Sequence, residues 1–157
     1  MIKLLVMDVD GTLTDGRIYM GNSGEVMKSF NIKDGYGIHD ILIPKGILPV
    51  IITGRKSKIL ENRCAELGIT ELYQGVNDKI QVLKKIVADR EVEFCDIAYI
   101  GDDLNDLTCM QEIKKRNGLV GSPSDAVVEI RNIADFISNF KGGEGAVREF
   151  IEWIVKI

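Results

Sequence analysis

The sequence predicts an α/β fold: a Rossmann-like parallel sheet with helices on both faces. Three observations predict it. Apolar runs of strand length alternate with segments of helical period along the whole chain, the order that a parallel sheet with crossover helices requires. Of the 157 residues, 45% are apolar, enough material for a core covered on two faces. Only three prolines occur, and no repeat, low-complexity tract or linker interrupts the pattern, so residues 1–157 read as one domain.

The strands expected, in order, are Lys3–Val9, Ile47–Thr53, Glu71–Gln74, Ile97–Gly101 and Gly118–Gly121. After the first, Arg17–Met20 and Glu25–Phe30 flank Gly21-Asn22-Ser23-Gly24, which predicts a β-hairpin with a four-residue loop. Ile59, Leu60, Arg63, Cys64 and Leu67 fall in one stripe of a helix, and Ile80, Leu83, Ile86 and Val87 in one stripe of the next. Each can therefore lie against the sheet. A last helix is expected over Ala146–Val155, where Val147, Phe150, Ile151, Ile154 and Val155 recur at helical spacing after the breaker pair Gly142-Gly143.

The net charge of −4 and pI near 5.1 supply no basic field, which argues against nucleic acid or an anionic membrane as partner. Charge, Gly or Pro breaks every hydrophobic run within about eight residues, far short of a bilayer span. The N-terminus shows no signal-peptide pattern, so a cytoplasmic protein acting on a small molecule is expected. Cys64, Cys95 and Cys109 are odd in number and have no paired spacing, which suits reduced core thiols rather than disulfides or zinc.

In an open parallel sheet, ligands bind beyond the carboxyl ends of the strands. Strand one runs into Asp8-Val9-Asp10-Gly11-Thr12, the next ends at Thr53-Gly54-Arg55, and the fourth ends at Gly101-Asp102-Asp103 with Asp106 just beyond. Asp8, Asp10 and Asp102 are therefore expected on one rim. Such a cluster repels itself unless a cation sits in it. Oxygen donors with no His or Cys beside them favour magnesium over zinc. Any one of these aspartates alone reads as a turn or capping residue; the combination of Asp-x-Asp-Gly-Thr with a later Gly-Asp-Asp-x-x-Asp does not.

These segments resemble the haloacid dehalogenase superfamily of phosphatases. Asp8-Val9-Asp10-Gly11-Thr12-Leu13-Thr14 is similar to its first signature, Thr53 to the second, Lys79 to the third, and Gly101-Asp102-Asp103-Leu104-Asn105-Asp106 to the fourth. The resemblance implies that Asp8 attacks phosphorus to give an aspartyl phosphate, while Asp10 protonates the leaving oxygen and then deprotonates the hydrolytic water. It implies Mg2+ held by Asp8, the Asp10 backbone carbonyl and Asp102, with Asp103 and Asp106 orienting that shell. Lys79 and Thr53 would contact the phosphate. The chemistry is consistent, because a carboxylate attacks a phosphate dianion only once metal and lysine offset the repulsion between them.

No stretch is long enough for a cap domain: a hairpin and a helical segment separate Asp10 from Ile47, and one helix separates Gly75 from Ile97. Nearly the whole chain resembles the capless 3-deoxy-D-manno-octulosonate 8-phosphate phosphatases and their relatives acting on nonulosonate 9-phosphates. Asp34–Ile38, Ile52–Lys58 with Glu61-Asn62-Arg63, and Gly142–Glu149 carry that likeness. It implies a homotetramer whose hairpins pack together and a glycine-rich segment whose Arg148 reaches a neighbour's site. A small anionic sugar phosphate is the implied substrate, with Thr12, Gly54, Arg55, Arg63 and Arg148 as its contacts, since arginine offers a planar fork for a carboxylate. Arg55 looks more like the octulosonate branch, whereas Glu144 stands where those enzymes often carry a basic residue. His39, the only histidine, reads as a structural or surface residue, and Tyr36 as pocket lining or packing. A rival of another class is the phosphorylation-responsive receiver domain, a binding module. Receivers place the phosphorylated Asp at strand three, which here ends in Tyr73-Gln74-Gly75.

Overall fold

The computed structural model describes residues 1–157. Eight strands and six helices alternate as β1 (Leu4–Met7), β2 (Tyr19–Gly21), β3 (Gly24–Met27), α1 (Ile32–Tyr36), β4 (Leu48–Ile52), α2 (Lys58–Leu67) and β5 (Glu71–Tyr73). They continue as α3 (Lys79–Asp89), β6 (Ile97–Ile100), α4 (Leu104–Lys115), β7 (Leu119–Ser122), α5 (Val128–Ile133), β8 (Phe136–Ile137) and α6 (Ala146–Ile154). Six strands form one sheet in the order β5-β4-β1-β6-β7-β8, and every pair in it is parallel.

The central strand shows how the sequence builds two cores. All four β1 residues are buried, as a strand covered on both faces requires. Leu5 and Met7 join Leu60, Val147, Phe150 and Ile151 on the face covered by α2 and α6. Leu4 and Val6 join Leu83, Ile86, Met110, Ile113 and Ile130 on the face covered by α3, α4 and α5. The strand's period of two distributes its side chains between the layers.

Four details differ from expectation. The hairpin pairs Gly21 with Gly24, so its turn is Asn22-Ser23 and shorter than the four-residue loop. The helical segment before β4 is irregular: α1 passes into a π-helical stretch, Gly37–Leu42, and then a 3-10 turn, Ile43–Lys45. An edge strand, β8, pairs with β7 beyond the last strand expected. The cysteines are free, but Cys95 is exposed rather than a core thiol. No helix is long and apolar enough to cross a membrane.

From β1 the chain builds outward to β4 and β5, then returns to the opposite side of β1 as β6. Strand order reverses between β1 and β6. The two carboxyl ends there open a crevice, the place where an open α/β sheet binds its ligand.

Candidate active site

Asp8 follows β1 directly, and its backbone N–H still pairs with the Ile100 carbonyl of β6. The next residues curl tightly, with the N–H groups of Thr12, Leu13 and Thr14 all donating to the Val9 carbonyl. Gly11 sits in this curl at φ +94°, and a Cβ there would lie 2.0 Å from Asp102 Oδ2. Only glycine permits that approach. Gly142 and Gly143 buttress the same curl within the chain: a Cβ on Gly142 would meet the Gly11 carbonyl at 1.9 Å, and the Gly143 N–H donates to Thr12 O.

An open cavity of about 450 Å³ stands over the crevice, lined by Asp8, Asp10, Thr53, Gly54, Arg55, Asp102 and Asp103 together with Gly16 and Asn105, none of them apolar. A wall of that chemistry suits a charged, hydroxyl-rich ligand. Oxygens of Asp8, Asp102 and Asp106 lie within 4.8 Å of one another, close enough to share an ion. Asp106, however, is saturated. Its Oδ1 accepts from Lys79 Nζ at 2.9 Å and Tyr99 Oη at 2.7 Å, and its Oδ2 accepts from the backbone N–H groups of Asp102 and Asp103. A carboxylate has about four acceptor positions, so Asp106 anchors the β6–α4 loop and leaves Asp8 and Asp102 as the side chains free to hold a cation. Asp103 caps α4 by accepting from Leu104 N–H.

The electrostatics suit a divalent cation. Burial raises the pKa of Asp8, and the Asp106 charge adds to the rise, against the pull of Lys79. Burial also raises Asp102, reinforced by the Asp8 charge. Two carboxyls that resist ionisation side by side form a site whose charge a hard cation would restore, and the all-oxygen donor set suits magnesium. Burial acts to lower Lys79, but Asp8 and Asp106 outweigh it and its pKa is raised, so it stays an ammonium donating to Asp8 Oδ1 at 2.6 Å.

The remaining expected residues divide. Thr53, Gly54 and Arg55 face the cavity. Thr12 is fully buried and gives its hydroxyl to Asp102 Oδ1 at 3.1 Å, so it orients a carboxylate instead of reaching the cavity. Arg63 pairs with Glu66 at 3.2 Å and lies over the Phe30 ring, outside the cavity, because its place on α2 turns it towards Gly35 of α1. Arg148 pairs with Glu152 and stacks over Tyr36, also outside this chain's cavity. His39 lies on the surface with its Nδ1 3.3 Å from Asp40 Oδ2. Sequence reasoning missed Tyr99, hidden within an apolar strand, and Lys28 and Glu25 of the hairpin. Lys28 Nζ donates to Asp10 Oδ1 at 2.6 Å and pairs with Glu25 at 3.1 Å. The order Glu25-Val26-Met27-Lys28 carried no signal for this, because the apolar pair is the exposed one and the charged pair is turned inward.

No family model matches the chain. Over 154 residues, 98% of this chain and 79% of the relative, it is 44% identical to the 3-deoxy-D-manno-octulosonate 8-phosphate phosphatase of Escherichia coli. The corresponding enzyme of Yersinia pestis is 46% identical over 98% of this chain and 80% of its own length. Among solved structures, the 3-deoxy-D-manno-octulosonate 8-phosphate phosphatase of Moraxella catarrhalis, in complex with magnesium, phosphate and KDO, superposes with a TM-score of 0.91 at 41% identity, covering 99% of this chain and 86% of that one. A Legionella pneumophila structure assigned to the HAD superfamily (subfamily III A) gives 0.91 at 37% identity, covering 99% and 82%. Identity at this level over nearly the whole chain, on a sheet whose switch point carries the expected aspartates, establishes descent as well as shape: the chain belongs to the 3-deoxy-D-manno-octulosonate 8-phosphate phosphatase family of the haloacid dehalogenase superfamily.

Proposed function

We propose that the protein is a magnesium-dependent phosphomonoesterase that hydrolyses 3-deoxy-D-manno-octulosonate 8-phosphate through an aspartyl phosphate on Asp8. The observation that carries the reading is the buried Lys79–Asp8 pair beneath a wholly polar cavity, with Asp102 close enough to share an ion with Asp8. Asp8, Asp102 and the Asp10 backbone carbonyl would hold the magnesium, which when bound supplies positive charge against the phosphate oxygens.

The chain's own residues would divide the work. Asp8 Oδ attacks phosphorus, and the bond to the sugar oxygen breaks as Asp10 delivers a proton to it. Asp10, now a carboxylate, takes a proton from the water that cleaves the aspartyl phosphate, which restores both groups. Lys79 steadies Asp8 and the charge that develops on the phosphate, and Thr53 and the Gly54 backbone face the same space. Arg55, half-exposed at the cavity mouth, is placed to meet the carboxylate of the sugar acid.

The relatives named above carry the octulosonate name, which favours that substrate over a nonulosonate 9-phosphate. The receiver-like reading is disfavoured because the third sheet strand in chain order ends in Tyr73-Gln74-Gly75, with no aspartate to phosphorylate. We extend the proposal to a cytoplasmic homotetramer. Free cysteines suit a reducing compartment, and Ile18, Met20, Val26 and Met27 leave the hairpin with exposed apolar side chains for packing. Phosphate release from the octulosonate and nonulosonate esters, compared by kcat/KM with magnesium present, tests the substrate. A preference for the nonulosonate would overturn it, and turnover surviving in Asp8→Asn would overturn the mechanism.

A further inference from the structure

Lys28 follows β3, yet its side chain is only 4% exposed. Burying an ammonium is costly unless carboxylates surround it, and two do. Asp10 Oδ1 lies 2.6 Å from Nζ and Glu25 Oε2 lies 3.1 Å away. Glu25 is tied in turn to the loop before α2, where its Oε1 accepts from Ser57 Oγ at 2.5 Å, and Ser57 accepts from Leu60 N–H as the helix cap. The hairpin thus reaches the two loops that flank the cavity through one charged chain. Asp10 Oδ2 is left differently. Arg55 Nε stands 4.0 Å from it, beyond hydrogen-bond reach, and the Asp10 side chain is 22% exposed in the cavity wall.

We propose that Lys28 is a positioning residue for the hydrolysis: by holding Oδ1 it fixes the Asp10 rotamer and leaves Oδ2 as the oxygen that hands the proton to the leaving group. The inference rests on the reading of Asp10 as acid and base, and adds which oxygen serves and what aims it. Lys28 does not line the cavity and acts only through Asp10. Without it the carboxyl is free to swing, and misplacement by about 1 Å can cost about 100-fold.

The test separates the proton-dependent step from the rest. An alkyl phosphate needs a proton on its leaving oxygen, whereas 4-nitrophenolate leaves without one. In Lys28→Met, kcat for the sugar phosphate or a simple alkyl phosphate should fall about 10- to 100-fold with KM within about threefold, the scale of a misplaced group and short of the full loss of acid–base catalysis. With 4-nitrophenyl phosphate, transfer to Asp8 should continue while hydrolysis of the aspartyl phosphate slows, so a rapid burst of about one nitrophenol per site should precede the steady state. Lys28→Arg should recover part of the alkyl rate. Equal losses on both substrates without a burst, or wild-type rates on both, would overturn the proposal. Melting curves report folding, and if Lys28→Met does not melt cooperatively, Lys28→Gln is judged by the same readouts. Asp10→Asn serves as the separate control. If it shows no leaving-group dependence, the reading of Asp10 fails whatever Lys28 does. If it does while Lys28→Met behaves as wild type, only the positioning role fails.

Discussion

Lys79 Nζ donates to Asp8 Oδ1 at 2.6 Å, joining residues 71 positions apart, and neither side chain is more than 6% exposed. The same ammonium bonds Asp106, so one positive charge is shared between two buried carboxylates. Lys79→Met would leave both uncompensated. We expect kcat to fall by about 100- to 1,000-fold, the loss typical of one removed electrostatic contact, and stability to fall by about 3–5 kcal/mol, as for a broken buried pair. Steady-state phosphate release and denaturant melts measure the two.

Magnesium and Asp102 give a prediction with opposite signs. Magnesium at about 100 times its Kd should stabilise the wild type by about 2.7 kcal/mol. Asp102→Asn should erase that increment. In chelator, the same substitution should raise the melting temperature, because burial and Asp8 make the Asp102 charge unfavourable when no cation is bound. A magnesium-dependent shift that persists in Asp102→Asn would exclude this residue as ligand.

Tyr99 lies fully buried in β6 and donates to Asp106 Oδ1. Tyr99→Phe removes one donor of that saturated carboxylate and leaves the fold's apolar packing in place. Because Oδ1 keeps its bond from Lys79, destabilisation of about 1.5–3 kcal/mol is expected, the range for one hydrogen bond to a charged group, with a smaller loss of kcat than in Lys79→Met. Thermal melting beside initial rates checks both.

Asp34 tests the pH response away from the catalytic cluster. Its Oδ1 accepts from Arg148 N–H at the start of α6, its Oδ2 has no partner, and burial raises its pKa from the ordinary 3.8 to about 6. Across that window the folded state holds a proton that the unfolded chain has lost, so its contribution to stability is present below pH 3.8 and is lost as pH rises through about 6. At about 1.4 kcal/mol per pH unit across the window, the loss reaches about 3 kcal/mol. Asp34→Asn should remove this slope, and denaturant melts from pH 4 to 7 on both proteins would show the difference. Parallel profiles would refute the assignment.

Gly11→Ala should abolish turnover, since φ +94° and a Cβ 2.0 Å from Asp102 Oδ2 leave no room for the methyl group. The left-handed backbone alone costs about 1–2 kcal/mol for alanine. Titrating magnesium against the variant distinguishes a displaced ligand, which weakens binding, from a merely destabilised loop, which does not.

The alternation of apolar runs and helical stripes was sufficient for the sheet and its two helical layers, because each long element repeats its pattern over enough residues to reveal a period. The local order Asp8-Val9-Asp10-Gly11-Thr12 after β1, and Gly101-Asp102-Asp103 after β6, placed the acids at strand ends for the same reason. The two-residue β8 and six-residue α5 are too short to show a period. What the chain order could not disclose is which charges meet. Asp106 was legible as an orienting residue, and its bonds from Asp102 and Asp103 are local, but Lys79 reaching Asp106 and Lys28 reaching from the hairpin to Asp10 join positions distant in sequence. Those contacts depend on the angle at which the hairpin and the β6–α4 loop lean over the crevice, a quantity set by packing and absent from any local pattern. Residue type and spacing therefore determined the chemistry available to this protein, and only the tertiary structure decided which oxygen is already occupied and which is free to react.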